Sequence, residues 1–350
     1  MKHIFVMNPA APGCDAYALR KDIFALWPAA GVDFEIYETR GPGDGEAFVR
    51  RCCAEAAREE AAGRRGADPS TGREADGRRG ADPSAGKPAS DSDAPRLRFY
   101  ACGGDGTLNE VVNGAAGVAF AEVGCVPLGT GNDFVRNFPE ADFTDMLAQL
   151  RGEPVPCDLI RYESVLDGRT VRRYGVNMFN IGFDCAVVDK TDRLKRIPLL
   201  KGSLAYLSSI AVNLIEKRGE TVEAMFPDGS VYCGDLLLIT VANGCFCGGG
   251  IKGLPRARTD DGKMDISMVQ DVPRLTFARF FPKYREGTHL EDPRLAGVVT
   301  YRQETGLIVA PTEGKMKFCV DGEVRETEKL SLSIEPGAIS FVVPKSKGKA

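Results

Sequence analysis

The residues best suited to chemistry lie in one stretch, Cys102–Glu110, with the sequence CGGDGTLNE. Its glycines let an apolar strand turn sharply into a helix, and the N–H groups at the start of such a helix favour phosphate. Thr107 adds a hydroxyl donor. The carboxylate of Asp105 would repel phosphate unless a divalent cation lies between them. The stretch therefore predicts a site for a nucleotide together with magnesium.

Two further loops have the same character. Asn8–Gly13 (NPAAPG) follows an apolar strand and can wrap phosphates with backbone amides. Leu128–Phe134 (LGTGNDF) combines a hydroxyl, an amide and a carboxylate. Each loop alone is compatible with an ordinary turn. Three such loops at one edge of a sheet predict a shared nucleotide site.

Strands and helices alternate in the first half of the chain, where these loops lie. The predicted strands are Lys2–Met7, Asp33–Glu38, Leu97–Cys102 and Gly124–Pro127, and the predicted helices are Asp15–Trp27, Asp44–Ala62 and one that ends at Val112. This alternation predicts an α/β N-terminal domain with a parallel sheet, in which ligands bind at the carboxyl ends of the strands. All of the glycine-bearing loops follow strand ends.

The second half is mostly strands, which predicts a mainly antiparallel β-sandwich as the C-terminal domain. One strand is expected to run unbroken over Arg172–Asn180, and a helix is expected over about residues 202–215. The last strands are expected to end with Ser340–Val343 returning to the first domain.

Three ranges follow from this pattern. The predicted ranges are 1–156 for the nucleotide-binding domain, 157–325 for the sandwich and 326–350 for the returning tail. Residues 63–95 repeat the octet GRRGADPS and nearly lack large apolar side chains. This composition predicts a disordered insertion within the first domain.

Composition and charge argue against several classes of protein. A net charge of -4 disfavours nucleic acid as a partner, since domains that bind it carry a strong basic excess. The eleven cysteines include no CxxC pair, so no zinc site is indicated. No segment approaches the roughly 20 apolar residues of a membrane span, so a cytoplasmic protein is expected.

The strings Gly103–Glu110 and Gly129–Phe134 resemble the hallmark motifs of the diacylglycerol kinase catalytic domain, and of the wider lipid kinase family that includes sphingosine kinases. The similarity extends over nearly the whole chain, through Asn8-Pro9 with Gly13, Val241–Asn243, Gly248–Gly250, Asp260–Asp265 and Val320–Glu323. The insertion and Pro12 depart from the family pattern. The resemblance implies phosphorylation of a lipid hydroxyl by ATP and magnesium, with diacylglycerol as the first candidate substrate and the sandwich as the lipid-substrate domain.

The resemblance also implies roles for individual residues. Those expected to contact ATP are Asn8, Pro9, Ala10, Ala11, Gly13, Thr39, Gly104, Asp105, Gly106, Thr107, Leu108, Asn109, Glu110, Thr130 and Asn132. Those expected at a structural magnesium ion are Asp261, the backbone carbonyls of Arg258 and Lys263, and, linked through water, Asp105, Asp133 and Asp158.

A carboxylate base is favoured by the residues themselves. Phosphoryl transfer to an alcohol needs a group that accepts the hydroxyl proton. The two histidines, His3 and His289, lie in no glycine or acidic motif. Asp321-Gly322-Glu323 follows a predicted strand, and the glycine permits a bend that presents both acids. Either Asp321 or Glu323 is therefore predicted to be the base, with Asp105 as a further catalytic residue.

Other interpretations are compatible with parts of this pattern. NAD kinases share the GGDGT string, but in them the Asn-Glu pair usually occurs separately, whereas here it follows directly. An inactive nucleotide-binding scaffold would not need Asp105, Asp133, Asp261, Asp321 and Glu323 all intact. Within the lipid kinases, a sphingoid base or another lipid alcohol is an alternative substrate, and a homodimer is left open.

A membrane surface is the expected place of contact with the lipid substrate. Arg193, Lys195, Arg196 and Lys201 lie close together among leucines and an isoleucine. A basic, leucine-bearing segment of this kind is typical of weak binding to anionic lipid, although a solvated basic loop has the same composition. The protein is accordingly expected to be cytoplasmic with transient contact at the inner face of the membrane.

Overall fold

The first half of the chain forms a parallel sheet covered by helices. A computed structural model of the chain describes residues 1–30, 34–66, 96–183, 185 and 219–345. The strands of this half are β1 (Lys2–Met7), β2 (Phe34–Glu38), β3 (Leu97–Gly103) and β4 (Ala121–Pro127), and its helices are α1 (Ala16–Ala30), α2 (Asp44–Gly66), α3 (Asp105–Ala115) and α4 (Met146–Leu150). β1 pairs in parallel with β2 and β3, and β3 pairs in parallel with β4.

The second half is a mainly antiparallel sandwich. Its strands are β5 (Glu153–Leu166), β6 (Arg169–Gly175), β7 (Met178–Gly182), β8 (Glu220–Met225), β9 (Val231–Ala242), β10 (Met264–Gln270), β11 (Val299–Glu304), β12 (Gly306–Pro311), β13 (Met316–Val320), β14 (Glu323–Thr327) and β15 (Lys329–Val343). In the described part of this half, helix α5 (Arg274–Glu286) packs on β9 and β10. The predicted fold class is confirmed.

The long strand β15 joins the two halves. It pairs antiparallel with β5 over most of its length. Near its C-terminal end it also pairs in parallel with β4, which places Phe341 beside Val123. The hydrogen-bonded order is β14-β13-β7-β9-β8-β12-β15-β4-β3-β1-β2. The parallel sheet and the sandwich are therefore parts of one continuous ladder.

Separate apolar clusters fill the two halves. In the first half, Ile4, Phe99 and Val123 from the sheet pack with Val111 of α3 and the buried face of α2. In the second, Phe179, Val241 and Phe318 belong to the core between the sandwich faces. Burial on both faces explains why the parallel strands are nearly continuous apolar runs. The cores fix the strand ends from which the glycine-bearing loops project.

Several sequence-based expectations differ from the structure. The strand expected over Arg172–Asn180 is broken into β6 and β7, and α2 continues to Gly66, into the range expected to be a disordered insertion. Four elements were not predicted: α4, α5, β11 and β14. Residues 67–95, the basic segment around residues 193–201 and the helix expected at 202–215 lie outside the described residues. Among those that are described, no helix combines the length and hydropathy needed to span a bilayer.

Candidate active site

The three glycine-bearing loops meet at the carboxyl edge of the parallel sheet. Gly13 N donates a hydrogen bond to Leu128 O at 3.0 Å, and Asn8 Nδ2 donates to Thr107 Oγ1 at 3.2 Å. A Cβ atom added to Gly129 would lie 2.5 Å from the Cα of Gly104, a distance that no side chain tolerates. The loops after β1, β3 and β4 therefore form one surface, as their spacing predicted.

Helix α3 begins at this surface with its first N–H groups available. Gly104 is the N-cap and has no side chain to cap the helix, and a Cβ at Gly106 would meet nothing within 4 Å. The first N–H groups of a helix have no acceptor within the helix, and the positive end of the helix dipole lies there. An anion such as a phosphate of ATP fits this position.

Asp105 and Asp133 bring two carboxylates to the same place. Asp105 Oδ1 accepts a hydrogen bond from Asp133 N at 2.8 Å. A Cβ built on Gly131 would lie 2.8 Å from Asp105 Oδ2 and 3.3 Å from Asp133 Oδ2, so both oxygens face the same small gap. Burial and the neighbouring Asp133 charge raise the pKa of Asp105 to about 6. Burial likewise raises the pKa of Asp133.

This pair fits a divalent cation. Two buried carboxylates repel one another and lose hydration, and both costs fall when an ion with oxygen ligands binds between them. The Asp133 carboxylate is also fixed from outside the loop, because Gly249 N donates to both of its oxygens at 3.1 and 3.0 Å. Asp105 and Asp133 are the residues that would hold magnesium beside the nucleotide.

The side chains of some other residues predicted to contact ATP form hydrogen bonds with the backbone of the loops or pack in the core. Glu110 accepts hydrogen bonds from Gly43 N at 2.8 Å and Gly45 N at 3.0 Å, so it holds the start of α2 against α3. Asn132 closes its own loop by exchanging hydrogen bonds with the backbone of Gly129. The Leu108 side chain is buried in the core.

The remaining predicted ATP contacts surround the same edge. Asn8 is partly buried, and its Oδ1 accepts a hydrogen bond from Ala10 N at 3.0 Å. Pro9 and Thr130 are exposed, and Ala11 is buried. Thr39 N donates to Met7 O at 2.9 Å, which brings the end of β2 next to the first loop. Backbone amides and the Thr107 hydroxyl thus provide most of the donors near the glycines.

Asp321 connects the sandwich to α3. Its carboxylate accepts hydrogen bonds from four donors, which are Asn109 Nδ2 at 2.8 Å, Val176 N at 2.7 Å, Asn177 N at 3.0 Å and Met178 N at 3.0 Å. Burial raises the pKa of Asp321, and these donors oppose the shift. The three consecutive N–H groups turn toward the carboxylate instead of a neighbouring strand, which explains the break between β6 and β7.

Glu323 stands two residues beyond this anchor. Asp321 and Gly322 both have positive φ angles, 48° and 90°, and so form a tight turn before β14. The Glu323 side chain is 49% exposed and forms an ion pair with Arg325 at 2.8 Å. Asp321 has its oxygens fully engaged, whereas Glu323 presents a carboxylate to solvent.

Asp158 lies beside the Asp261 turn. Its two oxygens accept from Gly262 N at 2.7 Å and Gly337 N at 2.8 Å. Asp261 accepts from Lys263 N at 3.1 Å, within its own turn. In the portion of the chain that the structure describes, no group of three or more His, Cys, Asp or Glu is placed to hold a metal. The structural magnesium ion on Asp261 and the carbonyls of Arg258 and Lys263 stays a prediction.

Two asparagines near the site were missed in the sequence. Asn137 follows the LGTGNDF loop, and its side chain donates to Phe134 O at 2.8 Å and accepts from Cys245 N at 2.7 Å. Asn177 lies at the break between β6 and β7, and its side chain donates to Phe246 O at 2.6 Å. Neither residue belongs to a glycine or acidic motif, so the sequence alone carries no signal for them.

Two family models match parts of this chain. Residues 87–162 match a model of the diacylglycerol kinase catalytic domain. Residues 177–343 match a model described as the YegS C-terminal NAD kinase beta sandwich-like domain.

Relatives with similar sequences cover most of the chain. A probable lipid kinase YegS-like protein of Pseudomonas aeruginosa is 31% identical over 248 residues, which is 70% of this chain and 76% of that protein. A diacylglycerol kinase of Mycobacterium tuberculosis is 28% identical over 249 residues, covering 69% and 75%. The crystal structure of a putative diacylglycerol kinase from Bacillus anthracis has a TM-score of 0.68 at 20% identity over 98% of this chain and 97% of that one, which shows the shared fold.

Replacing Asp105 by Asn is expected to change how stability depends on pH. Because its pKa is raised, the native protein keeps a proton that the unfolded chain releases between about pH 4 and pH 6, so wild type loses stability as pH rises through that range. Asn keeps an acceptor for Asp133 N and carries no titrating charge. In chelator, the unfolding free energy of the variant relative to wild type should rise by roughly 2 kcal/mol between about pH 4.5 and 7.5. Urea denaturation at each pH measures it.

Magnesium should stabilise the wild type more than the Asp105→Asn variant. Binding of the ion to the native carboxylate pair raises the melting temperature of wild type at neutral pH, and the Asp105→Asn variant should respond less. Parallel pH curves for the two proteins would contradict the raised pKa. Equal responses to magnesium would contradict the cation site.

Proposed function

We propose a specific reaction for this chain, which belongs to the bacterial lipid kinase family: transfer of the γ-phosphoryl group of ATP to the hydroxyl of diacylglycerol, giving phosphatidic acid and ADP. The observation that carries the proposal is a set of three components around α3. These are the glycine loops at the start of α3, the Asp105–Asp133 pair, and the exposed Glu323, which lies two residues after the Asp321 that binds Asn109 of α3. Phosphoryl transfer requires these three components: a phosphate cradle, charge neutralisation and a proton acceptor.

The phosphate cradle is made of backbone. The N–H groups of the first turn of α3 would bind phosphate oxygens, and the Thr107 hydroxyl, already within hydrogen-bond distance of Asn8, would add a donor. Asp105 and Asp133 fit a magnesium ion, whose charge would offset that of the phosphates during transfer. Glu110 and Asn132 act indirectly, by holding the loops in shape.

Glu323 is the proposed general base. The lipid hydroxyl would give its proton to this carboxylate while the hydroxyl oxygen bonds to the γ-phosphorus. The bond from that phosphorus to the bridging oxygen, which leaves with ADP, would break in the same step. Asp321 is less suited, since its two oxygens already accept four hydrogen bonds. The histidines are excluded by position, because His3 and His289 are buried beside Tyr100 and Tyr284. Asp321 instead holds the turn that presents Glu323.

Contact with a membrane surface is part of the proposal, because diacylglycerol resides in the bilayer. The basic segment expected to make this contact, from Arg193 to Lys201, lies outside the described residues. Attraction to anionic lipid contributes about 1 kcal/mol to the free energy of membrane binding for each basic residue near the surface, and salt screens it.

The acceptor is identified by incubating the purified protein with labelled ATP and magnesium, and with diacylglycerol, a sphingoid base or NAD in parallel. The proposal expects label in phosphatidic acid, with faster transfer from anionic vesicles than from neutral micelles. Label in NADP would replace the proposal by NAD phosphorylation. Label in the sphingoid base alone would keep the reaction and change the substrate.

Replacing Glu323 by Gln is expected to lower kcat by about a hundredfold or more, in the range that general-base catalysis contributes, with little effect on KM for ATP. Glu326→Gln is the matched control, because Glu326 is exposed on the same strand and its replacement removes the same charge. It should leave kcat within about twofold of wild type. Equal kcat values for the Glu323 variant and this control would rule out Glu323 as the base.

A further inference from the structure

A chain of hydrogen bonds runs from Asp321, in the turn that bears the proposed base, to the proposed metal-binding loop, and Asn177 lies at its centre. On one side, Asn177 N donates to Asp321 Oδ1 at 3.0 Å. On the other, Asn177 Oδ1 accepts from Asn137 Nδ2 at 3.4 Å. Asn137 in turn donates to Phe134 O, next to Asp133 in the chain. The path connects the turn that bears Glu323 with the loop that bears Asp133.

Asn177 also holds a third segment, residues 243–249. Its carbonyl accepts from Asn243 N at 2.8 Å and Gly244 N at 3.3 Å, and its side chain donates to Phe246 O at 2.6 Å. The same segment ends at Gly249, whose N–H donates to the Asp133 carboxylate. Asn177 therefore reaches Asp133 by two routes, one through Asn137 and one through residues 243–249.

The orientation of both amides is determined by their partners. Phe246 O can only accept, so it fixes Nδ2 of Asn177 toward it and leaves Oδ1 for Asn137. Phe134 O and Cys245 N fix the Asn137 amide in the same way. A Cβ on Gly244 would lie 2.3 Å from Asn177 Oδ1 and 2.4 Å from Asn137 Nδ2. The segment therefore approaches the two amides as closely as glycine allows.

We infer that Asn177 is a positioning residue that sets the placement of Glu323 relative to the Asp105–Asp133 pair. The inference deepens the proposed function and rests on it. Asn177 is 6% exposed and belongs to the sandwich, whereas Asp105 and Asp133 belong to the first half of the chain. Its backbone fixes the Asp321 turn and its side chain fixes the loop opposite.

The kinetic test compares Asn177→Ala with wild type. Loss of the side chain removes the donor to Phe246 O and one of the hydrogen bonds of Asn137. The kcat is therefore expected to fall roughly 10- to 100-fold, the cost of a displacement of about 1 Å at the reacting groups. KM for ATP should change less than about threefold. Val309→Ala, in the sandwich core, serves as a destabilised control and should lower the melting temperature while keeping kcat near the wild-type value.

A second background separates positioning from general loss of stability. In the Glu323→Gln protein, Asn177→Ala should lower kcat by less than about threefold, because there is no base left to misplace. Multiplicative losses in the double variant, or a kcat of Asn177→Ala within about threefold of wild type, would overturn the inference.

Backbone amide exchange tests the same connection without turnover. Asn177→Ala should speed hydrogen–deuterium exchange at Cys245 and Gly249, whose N–H groups bond to Asn137 and Asp133. Unchanged exchange there would contradict the inference even in an active enzyme. If wild type transferred phosphate to no lipid, the proposed function would fail, and the exchange result would still decide whether Asn177 holds these loops together.

Discussion

The arrangement of the site depends on the carboxylate of Asp321. It draws one donor from α3 and three from the junction of β6 and β7, and these belong to different halves of the molecule. A buried carboxylate without donors costs several kcal/mol, and so do buried N–H groups without acceptors. Carboxylate and donors therefore hold each other in one geometry. Glu323 follows in the same tight turn, so its position relative to α3 is set by this interaction.

The acids of the site differ in environment more than in type. Asp321 has four hydrogen bonds, Asp158 has its two oxygens on backbone N–H groups, and Glu323 is half-exposed beside Arg325. Asp105 instead faces a second carboxylate, and its pKa is raised to about 6. The first two serve as anchors and the third is open to solvent, whereas the proposed cation site pairs two buried carboxylates.

Much of the fold and part of the site could be predicted from the sequence. Glycines at strand ends revealed the three loops, because parallel strands bring their carboxyl ends to one edge. The contact between Asn109 and Asp321 spans 212 positions and could be known only from the fold. Helix α5 was missed because Pro282 lies inside it, and the break in Arg172–Asn180 was missed because its cause is the distant Asp321. Glu110 and Asn132 were assigned to ATP, yet their side chains bind loop backbone.

The proposed position of Glu323 depends on the hydrogen bond between Asn109 and Asp321 across the two halves. A double-mutant cycle of Asn109→Ala and Asp321→Ala, followed by urea unfolding, measures this directly. A hydrogen bond to a charged group predicts a coupling free energy of about 1.5 to 3 kcal/mol. If the losses of unfolding free energy caused by the two single substitutions add within about 0.5 kcal/mol in the double variant, the two residues do not interact. The proposed placement of the base would then lose its support.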